Sequence, residues 1–399
     1  MLPLPPELSP LPCVLVAFLL ARTGAGAWAY TRPLVSLALG LGIGALYRAS
    51  PLPAAEPEAV RAAARFGLAV LVFAAAQQCR FSRLSAVSSA ALRLAGFGVP
   101  ILVLLSAALV FALLPGLGVW SAVLVAVALP LGAGVFDERA ALRAPLADET
   151  KRALRLDLVL ALTLGIPLAV AAEAVSQGQA AGAALWDVPA FGVFAGGAVG
   201  GTIGLLGARW LPVKDAAVPA EPFLVFAIAY LAALLLGFDA VIAAALCGVL
   251  YSEEATVPGP ARSRIVGAGL RWVAPLALFS LAATLGATLF RTDLLVWLSA
   301  LVPALFLRIG VRRAALTGAP IPEAERRFLS SFGGAPGAGA ALFTLSLLGA
   351  DAAAAQGETL TILTIAVTVS VLFGQLASDP LVARQVRAAA RAKKRRYAA

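Results

Sequence analysis

The chain has 399 residues and not one histidine. That absence removes metal sites, haem ligation and general bases built on imidazole, including those of zinc proteases and Ser-His-Asp hydrolases. Charge is also scarce. Asp, Glu, Lys and Arg make up 13% of the residues, against roughly a quarter in soluble domains. Cysteine is confined to Cys13, Cys79 and Cys247, with no Cys-x-x-Cys pair. All three read as small apolar packing residues. No cofactor and no metal is expected. There is no Gly-x-Ser-x-Gly and no pair of intramembrane aspartates, so an enzyme is not expected either.

What the chain has is apolar length. Hydrophobic residues make up 61% of it, and the mean hydropathy is +0.93. A bilayer span takes about 20 mostly apolar residues. Thirteen apolar runs can be traced, at 9–22, 33–47, 62–79, 93–114, 118–136, 152–175, 188–208, 220–237, 238–251, 267–290, 293–311, 328–350 and 358–382. The pattern predicts an all-α, multi-pass membrane protein. Pro100, Pro130, Pro167, Pro275, Pro303 and Pro336 fall inside runs, as in the broken helices of transporters. Residues 1–10 carry Glu7 and no Lys or Arg. That start does not suit a signal peptide, so the first run reads as an uncleaved span.

The 31 Lys and Arg residues set the orientation. Counted connection by connection, 27 follow odd-numbered spans. Only Arg48, Arg61, Arg65 and Arg291 lie on the opposite side. Basic residues stay cytoplasmic during insertion. The alternation therefore supports thirteen spans, with the N-terminus outside, the C-terminus cytoplasmic and the protein in the plasma membrane. Residues 1–10 read as a short extracytoplasmic start, 11–382 as the membrane domain and 383–399 as a basic cytoplasmic tail. The net charge of +10 belongs to this topology and to contact with anionic lipid. The expected partner is the bilayer, not a nucleic acid.

Glycine marks two helices. Gly40, Gly42 and Gly44 lie in the second run, with no strand before them to make a dinucleotide loop. Gly192, Gly196, Gly200 and Gly204 line one face of the seventh, where another backbone can approach closely.

Four stretches resemble the monovalent cation/proton antiporter family, of the sodium/proton exchanger type. They are the glycine-rich second run, Leu71 to Leu84, Lys151 to Pro167, and Phe306-Leu-Arg308 with Ser331-Phe-Gly-Gly-Ala-Pro-Gly-Ala-Gly339. The likeness extends over about residues 11–382. It implies an inverted-repeat fold in which two broken helices cross and a mid-membrane carboxylate binds a cation or a proton. It also implies alternating access, monovalent cation (Na⁺ or K⁺)/proton exchange, and small cations and protons as ligands. A homodimer is an expectation raised by the family and the glycine faces together.

The positions that perform this chemistry in the family are replaced here. Its Asn-Asp pair falls on Ala161 and Leu162, and its Thr-Asp-Pro break near Ala133 and Gly134. Its third-span acid falls on Ala74, and its late arginine on Pro336. Only Asp157 keeps an acidic counterpart. It lies about 7.5 Å along the helix and about 140° around it from Leu162, so it cannot occupy the same place. The candidate ion or proton pathway is Asp157, Gln77, Gln78, Thr163 and Arg308, with Ser330, Ser331 and Thr344 as further oxygen donors. An Asp157–Arg308 pair is the expected charge compensation. The alternative function is a fold relative without coupling, which moves another solute or serves as a regulatory or structural membrane partner.

Overall fold

The computed structural model describes residues 33–48, 56–77, 89–131, 147–180, 189–211, 221–254, 273–290, 292–332, 335–348 and 357–374. The first apolar run, Cys13, Cys79, Gln78, Ala133, Gly134 and the basic tail lie outside them. Within the described residues there are helices and no strands. They are α1 (Pro33–Arg48), α2 (Pro57–Ala76), α3 (Ser89–Leu113), α4 (Val119–Ala128), α5 (Asp148–Ala180), α6 (Pro189–Trp210) and α7 (Glu221–Leu235). After them come α8 (Ala240–Glu254), α9 (Val273–Phe290), α10 (Leu294–Ala315), α11 (Glu323–Phe332), α12 (Ala338–Ser346) and α13 (Gly357–Gly374). Seven of these are long and apolar enough to cross a membrane: α2, α3, the Leu156–Ser176 part of α5, Phe191–Trp210 of α6, α9, α10 and α13. Their outward faces are apolar. Phe97 is 66% exposed, Leu104 69% and Phe306 72%, as suits side chains solvated by lipid rather than water.

Two of the sequence runs are broken inside. The run 118–136 stops being helix at Ala128, two residues before Pro130. Leu129 keeps helical backbone, and the ladder stops at Pro130, which has no N–H to donate to the carbonyl four residues back. The run 328–350 is two helices, α11 and α12, with Pro336 and Gly337 between them. The short eighth and ninth runs form a hairpin. Gly237, at φ 72°, ends α7, and Phe238 N–H donates to Ala233 O at 2.9 Å, which closes a left-handed helix cap. Asp239 then caps α8, its Oδ1 accepting from the Val241 and Ile242 N–H groups at 2.9 Å each.

The helices fall into two packed groups. In one, α2, α6, α7 and α8 lie on one another; in the other, α3 lies on α4 and α10, and α10 on α11, while α5 packs against members of both. The glycine face of α6 is filled from within the chain by α8. A β-carbon on Gly196, Gly200 or Gly204 would stand 2.6, 2.0 or 2.6 Å from the carbonyl oxygens of Asp239, Ala243 and Cys247. The four-residue step on each helix keeps the two backbones in register. Where the groups meet, α12 is buried at every residue from Ala338 to Ser346, and it packs on α2, α4 and α5.

Candidate functional site

The two breaks touch. Past the end of α4, the Leu131 carbonyl points at the start of α12 and accepts the Ala340 N–H at 3.0 Å. A helix N-terminus presents N–H groups with no partner of their own, and a C-terminus presents carbonyls. Here the end of one broken helix satisfies the start of the other, and their opposed partial charges compensate locally. Gly339 makes the approach feasible. A β-carbon there would stand 3.0 Å from Leu131 O and 3.1 Å from Leu162 Cδ2. On the α5 side, Gly165 leaves the room that the Leu131 side chain fills, since an added β-carbon would meet Leu131 Cδ2 at 2.7 Å.

The described side chains against this contact are hydrocarbon. Leu131 is 0% exposed, Leu162 2% and Ala161 7%. Pro336 is buried between α11 and α12, and Ala74 is buried on α2. A dehydrated cation needs opposite charge or several oxygens around it. Leu162 and Ala161 supply neither.

Among the described residues the carboxylates sit to either side of the crossing, not in it. Asp157 and Arg312 form a buried pair, with 2% and 4% side-chain exposure. Arg312 Nη2 donates to Asp157 Oδ2 at 2.5 Å, and Nη1 to Oδ1 at 3.3 Å. This corrects the expected Asp157–Arg308 pair: the partner lies one turn further along α10. Arg308 is 1% exposed. Its Nε donates to Ala304 O at 2.8 Å and its Nη2 to Ser331 O at 3.1 Å. It thereby places a cation at the carbonyl end of the broken helix α11, where the helix dipole is negative. Arginines four apart share a helix face, and that spacing was the available signal that both Arg308 and Arg312 turn inward. The neighbouring Glu325 holds the start of α5, accepting from Ala147 N–H at 3.3 Å and from the Thr150 hydroxyl.

The opposite end of α5 carries the buried Glu173. Its Oε1 accepts from Arg65 at 2.9 Å and from Arg61 at 3.3 Å, both on α2. Arg65 also lies 3.8 Å from the Asp239 carboxylate. Arg61 and Arg65 are two of the four basic residues that break the alternation along the sequence, and each has an acidic partner here.

The other candidates are dispersed. Gln77 is fully buried at the end of α2 and donates to Gly248 O on α8 at 3.2 Å. Its Oε1 meets no donor among the described residues. Thr163 is buried beside Leu162. The Ser330 and Thr344 hydroxyls donate to their own helix, at Arg327 O and Ala340 O. Among the described residues no cluster of three or more potential metal-ligating side chains occurs.

Comparison with known proteins bears on the family and the fold. A family model described as "Sodium/hydrogen exchanger, transmembrane" matches residues 10–383. Among solved structures, the sodium/proton antiporter MjNhaP1 of Methanocaldococcus jannaschii, determined at pH 8, is similar with a TM-score of 0.66. The identity is 16%, and the alignment spans 95% of this chain and 97% of that one. At that identity the likeness speaks for the fold. No curated protein sequence matches the chain.

Proposed function

The chain belongs to the transmembrane sodium/hydrogen exchanger family, and from that premise we propose that it is a multi-pass secondary transporter working by alternating access. The family's activity makes Na⁺ or K⁺ against protons the first exchange to test. The observation that carries the reading is the Leu131–Ala340 contact. Two interrupted helices that meet in the middle of a bundle are the way such carriers build a central site. The membrane domain is taken as residues 11–382, oriented with its arginine-rich connections in the cytoplasm.

The content of the crossing favours a second reading for the coupling step. Leu162 and Leu131 fill the space with alkyl groups. Both Asp157 oxygens already accept from Arg312, so Asp157 is the partner in an ion pair and not an open carboxylate at the helix breaks. The described residues of the crossing support the alternative of a family relative that has kept the scaffold and lost cation/proton coupling, and that moves another solute or serves as a regulatory or structural membrane partner.

Purified protein in liposomes with an imposed pH gradient separates the two. Proton flux triggered by Na⁺, K⁺ or Li⁺ establishes exchange. Its absence with all three leaves the uncoupled reading. If flux is present and an Asp157→Asn variant keeps it, Asp157 is not the carrier.

A further inference from the structure

A groove of about 950 Å³ runs between α3 and α10 on the outside of the helix bundle. Each of these helices contains a π-helical turn there, at Leu94–Gly98 and Val302–Leu307. Such turns widen a helix and shift its side chains out of step with a neighbour. Along the groove α3 contributes Arg93, Phe97 and Leu105, and α10 contributes Val302, Phe306 and Gly310. The walls are apolar and largely exposed. Gly310 leaves the floor open, since a β-carbon there would meet nothing within 4 Å.

One end of the groove is charged. Arg93 Nη1 donates to Thr317 O at 2.8 Å, which fixes the guanidinium at the mouth. A guanidinium has five N–H donors, so one such bond leaves donors for an anion. From Arg93 to Leu105 the groove follows about 18 Å of helix at 1.5 Å per residue. One leaflet holds about 15 Å of hydrocarbon. The groove therefore has the length of one acyl chain, an apolar wall for it and a cation where its headgroup phosphate would lie.

We propose that this groove is a binding site for an anionic phospholipid, with an acyl chain along Phe97 and Phe306 and its phosphate on Arg93. Basic pockets between transmembrane helices at the cytoplasmic side recognise such headgroups. The lipid would brace α10, the helix that carries Arg308 and Arg312 to the core. The inference stands apart from the transport reading and survives whichever way coupling is decided.

The test is lipid retention and thermal stabilisation of the purified full chain in detergent. Phosphatidylglycerol, phosphatidylcholine and inorganic phosphate are each added separately. Native mass spectrometry counts bound lipid, and a melting curve reads the shift. Wild type is expected to retain phosphatidylglycerol about fivefold over phosphatidylcholine, the size of preference one arginine near an anionic headgroup supports. Gly310→Trp fills the floor and is expected to abolish retention of both lipids. Arg93→Gln is expected to remove the preference while leaving chain binding. Gly42→Trp, another position with open space around it, serves as control and is expected to behave as wild type. Equal retention of the two lipids by wild type overturns the proposal. So does unchanged retention in Gly310→Trp, or a melting shift reproduced by inorganic phosphate alone. Should Gly310→Trp fail to fold, the wild-type preference and its loss in Arg93→Gln decide the matter.

Discussion

Helix α5 buries two carboxylates sixteen residues apart, about 24 Å along its axis, and the two are held in different ways. Asp157 faces a single arginine on α10, and both partners are withdrawn from solvent. Glu173 is shared by two arginines of α2, 25% and 33% exposed, and reaches Asp239 of α8 through Arg65. One pair therefore ties α5 to α10, and the other ties α5 to α2. Between the two lies a crossing that holds no acid among the described residues.

That contrast can be broken at several points, and the largest effect is expected at Asp157. Arg312→Ala leaves a buried carboxylate without its cation and is expected to cost about 3–5 kcal/mol. It should appear as lost monodisperse protein or a fall in melting temperature. Adding Asp157→Asn should recover part of the loss. If Arg312→Ala alone melts like wild type, the pair does not tie α5 to α10.

Placing an acid in the crossing comes next. Leu162→Asp is expected to destabilise by about 3 kcal/mol, the cost of a charge at mid-span, with less of the loss at low pH where the carboxyl is neutral. Equal stability at neutral pH would mean that the crossing admits water or a cation.

A β-branched side chain on the α6 ladder tests the packing of the other group. Gly200→Val pushes against Ala243 O and is expected to cost about 1–3 kcal/mol. Gly192→Val, with nothing within 4 Å, should be close to neutral.

The Glu173 cluster should respond more weakly in stability than in conformation. Arg65→Ala removes one of the two described arginine donors to the buried Glu173; Arg65 is itself 33% exposed, and about 1 kcal/mol is expected after allowance for solvent screening. Its larger consequence should be easier opening between α2 and α5, read as faster hydrogen exchange or changed cross-linking between these helices. Smallest of all is the exposed pair of Glu323 with Arg327 on α11. The hydrogen bond from Arg327 holds the Glu323 carboxyl below its ordinary value. Its contribution is present above the unfolded-state value and fades as pH falls through the lowered one. Glu323→Gln should leave the melting temperature unchanged within error at neutral pH.

Much of the fold was legible in the sequence, because lipid imposes a plain rule. Spans must be apolar, and basic residues gather at one set of ends. The breaks were partly legible too: Pro130 stops α4, and the Pro336-Gly337 step separates α11 from α12. The glycine ladder showed that a backbone would come close to α6. It could not identify α8, because a groove fits any small-residue partner and only the fold brings one near. For the same reason Arg308 was given the wrong partner. A sequence places two arginines on one face of α10 but gives no axial register between α10 and α5. The carbonyl at Ser331 that Arg308 holds belongs to the backbone, and a broken helix end has no side-chain signature. The replaced positions Ala161 and Leu162 were visible as replacements. That Leu131 and Gly165 close the space beside them was not, since it depends on two helices meeting.

The most direct test of a crossing closed by hydrocarbon is a cation titration of thermal stability. Purified wild type would be melted in increasing NaCl, KCl and LiCl, with choline chloride holding ionic strength equal. A ligand that binds only the folded state raises the melting temperature by mass action. The expected result is four superimposable curves at every pH examined. A saturable rise specific to one alkali cation, weakening as the pH falls, would contradict it, for it would reveal a cation site in competition with protons.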